Sequence, residues 1–293
     1  MENLKIGDIV ARKSYGYDIF FKVVDINNDG KESIITLKGI TYRIQADAPA
    51  SDLVVQPEAK VREYRNKVDI ECYKKLRNTN YFQRPVAWSK KSLSRNTSKD
   101  NTRSFKKSGK ILHLDGDEEY LKRCIDEYKK YNLDIVGKHL AEKDQPTHIY
   151  RLLREYKPDI LVITGHDSLS KDKNDYTNVN NYKNSKYFIE TVKEARRYNP
   201  DMDSLLIFAG ACQSMYDGLL KAGANFASSP ERVLIHALDP VLVAEKLANT
   251  TVNVILNPLD VINSTITKEK GIGGFQTRGV LRRGYPRESL VNP

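Results

Sequence analysis

The sequence predicts an α/β fold, a mostly parallel sheet flanked by helices and preceded by a small all-β barrel. Three observations predict it. Short apolar runs alternate with helical stretches from Lys110 onward, the strongest of those runs are apolar on both faces, and the first 57 residues hold only short strands and turns. Strands buried on both faces and joined by crossover helices make a parallel sheet with helices on each side. A chain of 293 residues has room for one large α/β domain and a smaller one.

Residues 1–57 are read as the barrel. Lys5 to Val10 opens a first strand, Asp18 to Asp25 is a second, and an Asn27-Asn28-Asp29-Gly30 turn leads into Ser33 to Gly39. Ile40 to Ile44 and Asp52 to Val55 supply two more, and five short strands in this space resemble an SH3-like β-barrel. Residues 58–109 are expected to hold a helical segment, Ala59 to Gln83, and a flexible basic linker. Residues 110–293 form the α/β domain. Its expected elements are strands at Lys110 to Leu114, Leu133 to Val136, Asp159 to Thr164, Ser204 to Ala209 and Arg232 to Ala237. Between and after them, helices are expected over Glu118 to Tyr131, Gln145 to Tyr156, Ser185 to Tyr198 and Pro240 to Ala248.

The net charge of +10 belongs to one segment. From Arg84 to Lys110 there are nine Lys or Arg against the single acid Asp100. That stretch is too poor in apolar residues to offset its ordering entropy, so it is expected as a tether. Basic tethers attract nucleic acid, but this one carries one aromatic after Trp88, Phe105, and the barrel has no basic excess. No nucleic-acid partner is expected. No apolar run reaches the roughly 18 residues of a membrane span, and the N-terminus lacks an apolar signal core. Cys72, Cys124 and Cys212 lack CxxC spacing, which argues for a reducing compartment and against a structural zinc site. His113, His139, His148 and His236 show no metal spacing, and Gly271-Ile272-Gly273-Gly274 lacks the context of a phosphate loop, so no cofactor or metal is expected.

In open α/β sheets ligands gather beyond the carboxyl ends of the strands. His166 follows the strand ending at Thr164, and Cys212 follows the strand ending at Ala209. If those strands are neighbours, thiol and imidazole share one sheet edge, the minimum equipment for nucleophilic catalysis. Taken singly, each has a bland reading, a small buried thiol and a satisfied histidine. Their matching placement favours the pair. The main-chain N–H groups of Asp167 and Cys212 are then the expected oxyanion donors.

A strand ending in His and, 46 residues on, a strand ending in Ala211-Cys212-Gln213 resemble the caspase–gingipain–separase group of cysteine peptidases. Gly210 and Ser214 depart from the caspase flanks, and Asp167 stands where the group usually has Gly. The ITGHD, FAGACQS and GIGGFQTRG segments, with the barrel, further resemble the sporulation-specific coat-processing proteases of endospore-forming bacteria. That resemblance implies a caspase-like fold and a Cys212–His166 dyad. It also implies spore coat and cortex proteins as substrates, in the cytoplasm of the mother cell against the forming coat.

In the group it resembles, the end of the first strand helps to form the pocket for the residue before the scissile bond. Here that stretch contains Asp115 and Asp117, with Asp239 able to reach the same pocket, and a carboxylate there would take Arg or Lys. The alternative for these acids is helix capping, which stays open. An Arg-preferring peptidase with an Arg-rich tether would cut itself, and Arg95 and Arg103 are the candidate self-cleavage sites. Asp167 adjoins His166 too closely in sequence to orient it, and GIGGFQTRG is read as a flexible loop over the site. The rival reading is a nucleic-acid- or coat-protein-binding module on a non-catalytic α/β scaffold. A third is a hydrolase or transferase using Cys212 on a small substrate.

Overall fold

The computed structural model describes residues 4–27, 33–67, 70, 74, 105–170 and 175–284. Ile9–Arg12 (β1), Phe20–Asn27 (β2), Ile34–Gly39 (β3), Gln45–Pro49 (β4) and Leu53–Val55 (β5) form one antiparallel sheet in the order β4-β3-β2-β1-β5. Its inward residues, among them Val10, Phe21, Val23, Ile35 and Leu37, close a core of their own. No closed barrel forms: β4 and β5 are the two edges, and no ladder joins them. The three-residue turn Ala50–Asp52 links the edges, so the sheet must coil until they come within about 10 Å of each other.

Ile40 to Ile44, expected as a strand, is not one. Only Tyr42 makes a β-bridge there, and its partner is His236 of the large domain. The residues leave their own sheet because their main-chain groups find partners across the molecule. Residues 58–67 then form a helix, α1, whose Tyr64 stacks on Phe20 with ring centroids 4.5 Å apart.

Phe105–Lys107, expected within the flexible linker, is instead a strand whose main chain pairs with Arg282–Gly284, and from Ile111 to Ala209 the described chain alternates as expected. It runs Phe105–Lys107 (β6), Ile111–Asp115 (β7), Glu118–Lys130 (α2), Ile135–His139 (β8), Gln145–Tyr156 (α3), Ile160–Thr164 (β9), Ser185–Tyr198 (α4) and Leu206–Ala209 (β10). Tyr216–Lys221 (α5), Phe226–Ser228 (β11), Asp239–Asn249 (α6), Ile255–Leu256 (β12), Pro258–Ser264 (α7), Lys268–Gly271 (α8), Ile272–Gly274 (β13), Thr277–Arg278 (β14) and Arg282–Gly284 (β15) follow. Six strands make the main sheet, in the order β13-β11-β10-β9-β7-β8, and only β13 runs antiparallel to its neighbour.

Two expectations change here. Arg232 to Ala237 is not a strand of that sheet, and the shorter β11 takes the place beside β10. Residues 235–237 instead pair with residues 41–43 of the barrel-like module. The GIGGFQTRG run is no loop, because Ile272–Gly274 is the edge strand paired with β11.

The two-residue side-chain period of the strands divides the core into layers. Ile160, Val162, Leu206 and Phe208 pack with Cys124, Tyr128, Val241, Ala244 and Leu247, which belong to α2 and α6. Leu161, Ile163, Ile207 and Ala209 pack on the other face with Ile149, Leu153, Phe188 and Val192, which belong to α3 and α4. Among the described residues no helix is long and apolar enough to cross a membrane.

Candidate active site

Strands β9 and β10 are direct parallel neighbours, with Ile163 opposite Ala209, so the segments after them leave the same edge of the sheet. His166 and Cys212 therefore share that edge. The local chain explains how each is held. Gly165 packs on Glu142, where a Cβ would run into the carboxylate, and Glu142 Oε1 accepts the main-chain N–H of His166 at 2.7 Å. Gly210 adopts φ +113°, a conformation open to glycine, and turns the chain sharply before Ala211 and Cys212.

The imidazole is fixed by a residue expected as a specificity candidate or as a helix cap. His166 Nε2 lies 2.8 Å from Asp117 Oδ2. The other oxygen of Asp117 accepts from Lys38 Nζ at 2.7 Å and from the N–H of Tyr120 at 3.0 Å, which caps α2. Burial works to raise the Asp117 carboxyl, but the hydrogen bonds from His166, Lys38 and Tyr120 outweigh it and hold it well below the ordinary carboxylate range. An ionised carboxylate only accepts, so Nε2 must carry a proton. Nδ1 of His166 is buried and has no hydrogen-bond partner among the described residues.

Cys212 is 2% exposed. Its Sγ receives the N–H of Ile235 at 3.2 Å and faces the Ile235 carbonyl at 3.8 Å. No hydrogen bond joins it to His166 among the described residues. Burial is the main reason that its thiol is pushed up to about 12, with the Ile235 N–H and the Arg43 cation working the other way. The main-chain N–H groups of Asp167 and Cys212 have no partner among the described residues. The side chain of Asp167 is a strut. It accepts from Ser185 Oγ at 2.5 Å, Asn184 N at 2.8 Å, Ser168 N at 2.9 Å and Ser214 Oγ at 3.0 Å, tying the His166 loop to the Cys212 loop.

Asp115 is completely buried, and its partner is Arg43 of the N-terminal module, also completely buried, with Nη2 2.8 Å from Oδ2. Burial opposes both charges. Arg43 overcomes it to hold Asp115 below the ordinary carboxylate range, and Asp115 in turn keeps Arg43 charged. The guanidinium also lies 5.1 Å from the centre of the Tyr120 ring, and Nη2 donates to Cys124 Sγ at 3.4 Å. Its Nε and Nη1 have no hydrogen-bond partner among the described residues.

The main chain around Arg43 is docked as firmly. Arg43 N–H donates to Ile235 O at 3.1 Å, and Ala237 N–H donates to Thr41 O at 2.8 Å. Tyr120 Oη shares its one hydrogen between the carbonyls of Gly39 at 2.5 Å and Tyr42 at 2.7 Å, and Arg123 Nη1 donates to that of Ile40 at 2.6 Å. A cavity of about 580 Å³ between the module and α2 is lined by Lys22, Ile40, Tyr120 and Arg123, and by neither Cys212 nor His166.

Asp239 lies near the thiol but keeps its oxygens for the chain, accepting from His236 N, Ile266 N, and N–H and Oγ1 of Thr267. Arg95 and Arg103 lie outside the described residues. Among the described residues no group of His, Cys, Asp and Glu is arranged to hold a metal. Sequence reasoning passed over Arg43, Tyr120 and Glu142. Arg43 sat in an apolar run taken for a strand, and nothing local marks it as the partner of an acid 72 positions on.

The family model described as YabG peptidase U57 matches residues 5–286. The chain is 44% identical over 288 residues to the sporulation-specific protease YabG of Bacillus subtilis (strain 168), covering 97% of this chain and 99% of that one. No solved structure matches it.

Proposed function

The chain belongs to the YabG peptidase U57 family, and from that premise we propose that it is a cysteine endopeptidase in which Cys212 is the nucleophile and His166 its base. The observation that carries this reading is the shared edge. Two reactive side chains leave adjacent parallel strands, and the one free nitrogen of the imidazole is the one Asp117 does not hold. The sheet and its helices on both faces agree with a caspase-like arrangement.

The chemistry follows from these groups. With Nε2–H donated to Asp117, the lone pair on Nδ1 takes the Cys212 proton. The thiolate attacks the peptide carbonyl, and the oxyanion is received by the N–H groups of Asp167 and Cys212. Nδ1–H then protonates the leaving amine. Water, deprotonated by Nδ1, attacks the thioester, and the thiolate leaves to recover its proton.

Asp115 is the pocket acid in this reading, so cleavage follows Arg, and less strictly Lys. Its observed pairing with a guanidinium supports that preference. Asp117 acts through His166, and Asp239 shapes the segment beside the thiol. Spore coat and cortex proteins are the proposed substrates, and the chain's own linker, at Arg95 or Arg103, is another.

Gel and mass-spectrometric analysis of the wild type beside Cys212→Ala and His166→Ala tests this. The expected result is cutting after Arg, in the linker or in a supplied coat protein, by the wild type alone. Labelling of Cys212 by an electrophilic Arg peptide should accompany it. Cutting that persists in both variants would move the catalytic assignment elsewhere.

A further inference from the structure

The loop from Gly39 to Ile44 enters the large domain as a peptide would enter a protease cleft. Its main chain pairs antiparallel with residues 235–237: Thr41 bonds Ala237, Tyr42 bridges His236, and Arg43 bonds Ile235. Ile235 is also the residue whose N–H meets the thiol at 3.2 Å. The loop therefore runs toward Cys212 in the order Thr41, Tyr42, Arg43. At the end of that run Arg43 places its side chain on Asp115.

We infer that the N-terminal module is an inhibitor in cis, with Arg43 occupying the pocket for the basic residue before the scissile bond. This rests on the reading of Cys212 as nucleophile and Asp115 as pocket acid. The ligand class that displaces it is a peptide or small molecule bearing a guanidinium.

Three features make the loop an inhibitor rather than a substrate. First, the chain turns back immediately after Arg43: Ile44 N–H donates to Tyr42 O at 2.9 Å, and Ile44 O accepts from Gly39 N at 2.8 Å. A substrate must continue extended past the nucleophile, and this loop does not. Second, Tyr120 clamps both arms of the turn through the carbonyls of Gly39 and Tyr42. The amine of Ile44 would stay in place even if its bond were attacked. Third, the module engages the machinery as well as the pocket, because Lys38 holds the carboxylate that positions His166.

The plug is nonetheless built to be displaced. Two of the three guanidinium nitrogens are buried with no hydrogen-bond partner among the described residues, so Arg43 is held less completely than a permanent core cation would be. The outer contacts, Lys22 and Lys38 to Glu119, lie toward solvent, where ion pairs hold weakly.

The test compares the full-length wild type with Arg43→Ala and with Arg43→Met, which keeps the apolar stem. Two rates are read: alkylation of Cys212 by iodoacetamide, located by peptide mass, and hydrolysis of a fluorogenic Arg-amide peptide. Both variants should show each rate raised by at least about tenfold. Millimolar agmatine should return both rates toward wild type and raise the thermal midpoint of the variants. Arg43→Lys keeps a cation opposite Asp115, serves where the neutral variants do not fold, and should give a smaller rise.

Folded variants with both rates equal to wild type would overturn the plug and leave the peptidase reading intact. Faster alkylation with no peptide turned over by any form would overturn the peptidase reading and the inhibitor with it, leaving Arg43 as a structural cover over the thiol.

Discussion

Asp117 and His166, 49 positions apart, are joined by a 2.8 Å hydrogen bond that decides which imidazole nitrogen is free. The bond exists because β7 and β9 are parallel neighbours, with Asp115 opposite Thr164, so the two following segments meet. Exchanging Asp117 for Asn offers Nε2 an amide that can donate, which admits the tautomer with the proton on Nδ1. The expected result for Asp117→Asn is a fall in kcat of about a hundredfold or more with KM little changed, by analogy with the aspartate of serine peptidase triads. Steady-state kinetics with a small Arg peptide checks it. An equal loss in KM, with kcat intact, would make Asp117 a substrate contact after all.

The Arg43–Asp115 pair invites a double-mutant cycle. Removing one partner of a buried pair strands the other charge and costs about 3–5 kcal/mol, whereas removing both is far milder. Arg43→Met and Asp115→Asn should each lower stability strongly, and the double variant should lose much less than their sum. Denaturant melts measure this. In the Arg43→Met background, Asp115→Asn should also cut kcat/KM for Arg peptides by about a hundredfold and leave neutral peptides nearly untouched. Additive losses would mean that the two residues do not share one pocket.

The thiol gives a pH prediction of definite sign. Burial is the largest reason that Cys212 is pushed up to about 12, and Arg43 is among the smaller influences that lower it. Opening the cleft removes both, and the larger governs the direction. The alkylation rate of the wild type should thus keep rising with pH to at least about 10, while Arg43→Ala should level off at lower pH. A plateau at the same pH in both would show that the loop does not set the environment of the thiol.

Much of this site was legible because its parts are local. The apolar runs Ile160 to Thr164 and Leu206 to Ala209, each followed by a glycine and a reactive residue, announce parallel strands with a shared end, and the structure pairs them. What escaped depends on partners far away in sequence. Ile40 to Ile44 has a strand's composition, but Thr41 and Arg43 bond Ala237 and Ile235 while Ile44 bonds within the loop, and no local pattern separates the two outcomes. Arg232 to Ala237 failed for the same reason from the other side. Three-residue β11 was missed because Phe226–Ser228 is shorter than any usable period.

Two buried histidines predict acid sensitivity. His113 and His236 are each held below the ordinary histidine range, first by burial. In His113 Asp115 pulls upward and Arg43 downward, while Arg123 and Arg43 add to the lowering of His236. His236 also meets the edge of the Tyr42 ring, and Asp239 accepts its main-chain N–H. The unfolded chain takes up protons near pH 6.5 and the folded chain does not. Stability is therefore full above about 6.5 and falls as pH drops below it. The thermal midpoint should decline from pH 7 to 5, and His236→Phe should flatten that decline. A flat profile in the wild type would show that both rings ionise freely in place.

If the proposed linker is cut, release of the plug can be read by dilution. While the chain between Arg84 and Ser104 is uncut, Arg43 faces Asp115 at the effective concentration of a tethered ligand, on the order of millimolar. Dilution cannot relieve an intramolecular contact. After a cut at Arg95 or Arg103 the module is held by its contacts alone, and the same interface becomes concentration-dependent. The intact Arg95→Gln, Arg103→Gln chain should keep constant, low activity per mole from micromolar to nanomolar protein. Chain cut in the linker should gain activity per mole across that range, and added agmatine should abolish the gain. Equal specific activity at every dilution, cut or intact, would mean that the module does not guard the cleft.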